Sequence, residues 1–96
     1  MRDKILEQIR VAQMLNEVYI SKYPFEHRFQ LVKKALEQLG KEVRDHWPLT
    51  HEEKRKVNIG VYAARELEEQ ADDLAGKLEI LDYDIKHEAD VPLKSE

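Results

Sequence analysis

The sequence predicts an all-α domain, a compact antiparallel four-helix bundle. Three observations lead there. Apolar residues recur at steps of three and four along most of the chain, the spacing of one helical face. Only three Gly and three Pro occur in 96 residues, too few turn formers for a multi-stranded β sandwich. Two X-Pro stops and one capping signal cut the chain into segments of helical length. The chain length fits one domain, near the size at which a single core is only just sufficient. We expect that domain over residues 1–88, followed by a tail over 89–96, where Pro92 stands and the periodicity ends.

The first helix is expected over roughly 3–22. Ile5, Ile9, Ala12 and Tyr19 share a face, with Leu6, Leu15 and Val18 beside it, and Asp3 favours the helix start. Tyr23-Pro24 ends it, because Pro disfavours a helical residue before it and lacks an amide proton. The second helix is expected over roughly 25–46, with Phe25, Phe29, Val32, Leu36, Leu39 and Val43 inward. Gly40 costs about 1 kcal/mol there relative to Ala, which suggests a close backbone contact. Trp47-Pro48 ends this segment.

Thr50-His51-Glu52-Glu53 reads as a capping box, so a third helix starts there and is expected over roughly 51–69. From Val57 the stripe Val61, Ala64, Leu67, Ala71, Leu74, Leu78, Leu81 and Ile85 never slips. Taken alone it describes one rod of more than 30 residues, for which a domain this small has no use unless it dimerises as a coiled coil. A break around Glu69–Asp73 resolves the conflict, giving a fourth helix over roughly 72–87. Short connections then favour antiparallel neighbours.

Chemistry is poorly represented. There is no Cys, so disulfides, thiolate metal sites and thiol catalysis are excluded. Ser21 and Ser95 lack a Gly-x-Ser-x-Gly context, and Thr50 already serves as a cap. His27, His46, His51 and His87 form no metal motif. His51-Glu52 is followed by Arg55 where a zinc metalloprotease helix needs His, and Asp84-x-x-His87 occurs once where a di-iron bundle needs two such pairs. We expect no catalytic residue, no metal and no cofactor. Lys54, Arg55 and Lys56 on a capped helix suggest a helix-turn-helix only superficially. They are a short cluster followed by acids in a chain of net charge −4, so nucleic acid is not an expected partner. No stretch reaches the length of an apolar membrane span, and Met1-Arg2-Asp3-Lys4 runs straight into an amphipathic pattern rather than a signal peptide. A cytoplasmic protein is expected, with no membrane partner.

Charge is distributed unevenly. Residues 66–96 carry eleven carboxylates against three lysines, whereas residues 1–65 carry 13 cations against 9 acids. A small protein with one strongly negative end suits docking onto a basic surface. Tyr62 stands near Glu66 and Glu69 at helical spacing, and Tyr83 falls with Asp72, Gly76 and Glu79 on one side of the fourth helix, next to Asp82. We take Tyr62, Glu66 and Glu69, with Asp72, Gly76, Glu79, Asp82 and Tyr83, as candidate partner-binding residues. The acids would complement charge, the tyrosines would anchor, and Gly76 would permit close approach.

From Tyr23-Pro24 to about Ile85, the order of signals resembles one family. The signals are the Tyr-Pro turn, a Lys/Leu-rich second helix, a short Asp-containing turn, and the run Asn58-Ile59-Gly60-Val61-Tyr62-Ala63-Ala64-Arg65-Glu66-Leu67-Glu68-Glu69. An acidic joint and a helix with Leu74, Leu78 and Asp82-Tyr83 follow. The chain is similar here to the small helical immunity proteins that neutralise type VI secretion toxins hydrolysing NAD(P)+. Those proteins often carry Pro in the joint where this sequence has Asp72. The resemblance covers about two-thirds of the chain. It implies an all-α inhibitor without enzymatic activity or cofactor, which binds a cognate toxin domain and occludes its nucleotide cleft. A different architecture competes with it, a homodimeric helical scaffold or adaptor in which the third and fourth helices fuse and pair through the stripe from Val57 to Ile85.

Overall fold

The computed structural model describes residues 2–88, so the expected tail at 89–96 lies outside the described residues. Every regular element is helical: α1 (Arg2–Lys22), α2 (His27–Asp45), α3 (His51–Lys56), α4 (Ile59–Glu66) and α5 (Asp72–Glu88). α1 and α2 run antiparallel, since Asn16 Nδ2 donates to the Phe29 carbonyl at 3.0 Å and the Lys33 ammonium lies 3.4 Å from Glu17. α5 also runs antiparallel to α1, with Gln8 bonded to Asp84 at 2.8 Å and Tyr19 to Asp73 at 2.6 Å. α4 packs antiparallel on α5 and only sparingly on α2. The result is a four-helix bundle whose third rod is made of α3 and α4.

The Tyr23–Glu26 turn differs from the expected second helix. The Glu26 amide donates to the Tyr23 carbonyl at 3.0 Å, with Pro24 at the second turn position, where its fixed φ is favourable. Phe25, expected in the core, takes the third position and is 99% exposed. Its place is filled by a stack of Tyr19, Tyr23 and Phe29, with Tyr19 and Phe29 centroids 5.3 Å apart. The rest of the α2 stripe is buried as expected, from Phe29 to Val43. Each such side chain contributes roughly 1.5–3 kcal/mol on leaving water. Gly40 makes no close backbone contact of the kind expected: a Cβ there would meet only the Arg44 and Ile9 side chains, at 3.4 and 3.6 Å, an ordinary van der Waals distance.

The capping box at α3 is complete: Thr50 Oγ1 accepts the Glu53 amide at 3.1 Å, and Glu53 Oε1 accepts the Thr50 amide at 2.8 Å. The helix then stops at Lys56, which the uninterrupted stripe did not foretell. Val57 is extended, and α4 restarts at Ile59. Val57 and Ile59 are both buried. Residues two apart lie on nearly opposite sides of a helix, so one continuous helix cannot bury both. The restart rotates the register. Ile59, Gly60 and Ala63 turn inward, while Val61 and Ala64, expected in the core, face out. The second break lies at 67–71, in the expected region. Buried Leu67 and Ala71 pin it, and Asp72 and Asp73 occupy the electropositive first turn of α5. These two interruptions remove the continuous rod on which the coiled-coil scaffold depended.

Candidate partner-binding surface

The eight candidate residues fall into three environments. On α5, Asp72, Gly76, Glu79 and Tyr83 follow one another at steps of four, three and four, so they form a row opposite the buried Leu74, Leu78, Leu81 and Ile85. Tyr83 is 61% exposed, and its ring stacks on His87 at 4.0 Å. Gly76 is the member of the row without a side chain. A Cβ at that position would meet nothing within 4 Å, so internal packing does not require a glycine there.

Glu79 lies beside Glu68 at the joint. Two ionised carboxylates have no proton to share, and Glu79 Oε2 then lacks any hydrogen-bond partner among the described residues. One added proton turns the contact into a hydrogen bond. That bond, followed by burial and the Glu68 charge, holds the Glu79 carboxyl above its ordinary value.

Tyr62 and Glu66 point elsewhere, toward α2. Tyr62 lines a half-open cleft of about 200 Å³ with Leu31, Val32, Ala35, Asn58 and Ile59. Its phenol is pushed up, first by burial and then by the Glu66 charge. A second hollow of about 220 Å³ continues from Ala35 and Ile59 past Leu39 and Val57 to Glu42 and Glu53. Arg28 bridges the far end of this seam. Its guanidinium donates to the Glu66 carbonyl and to Gln70 Oε1, and pairs with Glu26 at 3.1 Å. Glu69 is exposed on the joint beside this bridge.

Asp82 departs from the expectation of an exposed contact. It is 6% exposed, its Oδ2 accepts the Gly60 amide at 2.8 Å, and its Oδ1 lies 2.9 Å from the Lys86 ammonium. The side chain of Asn58, at the N-cap position of α4, makes no capping bond, so Asp82 caps α4 from a different helix. Its neighbour in sequence, Tyr83, is the exposed one of the two.

Sequence reasoning missed the cleft. Leu31 and Ala35 stand four apart, off the core stripe of α2. That spacing was the available signal of a second apolar row. Other chemistry is not assembled here. Among the described residues no three His, Asp or Glu converge to hold a metal ion. His46 Nε2 lies 2.6 Å from Glu53, which ties the α2 end to α3. Lys54 of the basic cluster is buried rather than presented. No described helix is long and apolar enough to cross a membrane.

No curated protein and no solved structure is similar at a significant level. One family model does match, Tsi6, over residues 2–87. That span takes in every helix described above, from the first turn of α1 to the last of α5, so the chain belongs to the Tsi6 family of type VI secretion immunity proteins.

Proposed function

We propose that this protein binds a cognate type VI toxin domain in the cytoplasm and inhibits it by covering an NAD(P)+- or other nucleotide-binding cleft. It acts as a stoichiometric inhibitor, with no cofactor and no catalytic activity of its own. The observation that carries the reading is Gly76. A glycine inside a helix costs about 1 kcal/mol relative to Ala, and the fold makes no use of the space it leaves. A partner's backbone approaching α5 closely would use it. The residues around it suit such a partner. Asp72 and Glu79 flank Gly76, Glu69 extends the negative surface across the joint, and Tyr83 supplies an aromatic anchor. A cleft that holds dinucleotide phosphates is lined by positive charge, so an anionic row steers association and competes for the same field.

The test is co-expression with a candidate type VI toxin domain, together with co-purification of the pair. Cells carrying both proteins should survive, and the two should elute as a complex. Reversing Glu69, Asp72 and Glu79 to Lys should slow association, most visibly at low salt. The reading fails if the protein neither protects nor binds, or if the purified chain consumes NAD(P)+ unaided.

A further inference from the structure

We propose that the α2–α4 cleft receives a large apolar side chain from a basic segment of the toxin, a second anchor separate from the α5 row; this rests on the immunity reading above. The seam between α2 and α4 is packed far more sparsely than the α1–α2, α4–α5 and α1–α5 contacts. It is spanned at one end by the Arg28 side chain rather than closed by packing. Its walls are apolar. Leu31, 42% exposed, and exposed Ala35 form the lip, buried Val32 and Ile59 form the floor, and the Tyr62 ring closes one side. The cleft's volume of about 200 Å³ exceeds the apolar cavity of about 150 Å³ that accommodates a benzene molecule. Anchors that fill pockets of this kind carry most of the energy in protein interfaces.

Charge selects the occupant. No charged side chain lines the cleft itself, but in the adjoining hollow and at the Arg28 end the carboxylates Glu26, Glu42, Glu53, Glu66, Glu68 and Glu69 outnumber the cations Arg28, Lys56 and Arg65. A segment with Lys or Arg on either side of its apolar residue therefore complements these surroundings. A second copy of this chain, net charge −4, would bring like charge to them. Only the outward ridge of α4 separates the cleft from the α5 row. A standard interface covers about 800 Å² per partner, enough to straddle that ridge.

The experiment uses the full chain and the toxin domain that it protects against in the co-expression test. Ala35→Trp fills the cleft from an exposed position, and Leu31→Asp makes its lip polar. Each should weaken binding about 100-fold while unfolding as cooperatively as the wild type. Val18→Asp, on the exposed side of α1, should bind like the wild type. A photo-crosslinker at Gln38 should label a toxin peptide in which Lys or Arg flanks a large apolar residue. Unchanged binding by both cleft variants, equal loss with Val18→Asp, or a crosslink to an acidic segment or to this chain itself would overturn the assignment and leave the immunity reading intact. Failure of the wild type to bind the toxin would remove both.

Discussion

The Asp82 carboxylate accepts the Gly60 amide at 2.8 Å across 22 residues of sequence, and a Cβ on Gly60 would fall 2.8 Å from the Cβ of Asp82. The two residues require each other. Asp82 satisfies an orphan amide in the first turn of α4, and only a glycine lets α5 come near enough to do it. Gly60→Ala should cost about 1–3 kcal/mol through overpacking against an atom that cannot swing away. Asp82→Ala should cost a similar amount by leaving a buried N–H unpaired, and Asp82→Asn less, because an acceptor remains. Urea midpoints at unchanged slope would report both; a wild-type midpoint for Gly60→Ala would contradict the contact.

Gly76 should behave in the opposite way. With nothing near its missing Cβ, Gly76→Ala should stabilise the isolated protein by about 0.5–1 kcal/mol. The same variant should bind the toxin domain more weakly. A thermal melt and a binding titration on one preparation separate the two effects. Weaker stability, or gain in stability with unchanged binding, would show that the glycine is not kept for a partner.

Tyr19 and Asp73 give the protein an alkaline signature. The hydrogen bond from the phenol to Asp73, aided by burial, pushes Tyr19 up to about 12, and the same bond holds Asp73 below the ordinary Asp range. The neutral phenol is the form the fold favours. Its contribution is therefore complete below the ordinary phenol value of 10 and is lost as pH rises through about 12. Asp73 works in reverse, contributing above the ordinary carboxylate range and losing its contribution as pH falls through its lowered value. Ultraviolet titration should show one phenolate forming near 12, and Tyr19→Phe should abolish that step. Ionisation of Tyr19 near its ordinary value of 10 would contradict the bond.

The pair Glu68 and Glu79 should be a liability at neutral pH. Glu79 titrates above its ordinary value in the fold, so its favourable contribution is present below the ordinary Glu value and is lost as pH rises through the raised one. Glu68→Gln supplies an amide donor to Glu79. The variant should melt higher than wild type near pH 7 and much like it near pH 4. An equal shift at both pH values would point to a cause other than the carboxyl pair.

Much of this architecture was legible because it rests on local rules. Thr50 and Glu53 announce their capping box, Pro24 and Pro48 stop helices by covalent geometry, and the α2 stripe from Phe29 to Val43 buries where its spacing places it. The break at Val57–Asn58 was hidden for a different reason. Val57 and Val61 keep perfect helical spacing, and only the burial of Ile59 by other helices decides against continuity. Asp82 was misread in the same way, since one acid among many shows no sign that a backbone amide from another helix has engaged it. Phe25 looked internal because aromatic residues usually are, yet turn geometry assigns it the outermost corner. The cleft depends on how far apart two helices settle, a distance with no representation in either helix alone.

Arg28 carries one further implication. The molecule resembles a partly opened book, with α1 and α5 bound together as its spine and the outer edges held by Arg28 at the Tyr-Pro end and by His46 against Glu53 at the other. Thermal breathing is easiest where a book opens. Amide hydrogens along the inner turns of α1 and α5 should therefore exchange last, and those of α3, only six residues long, should exchange first.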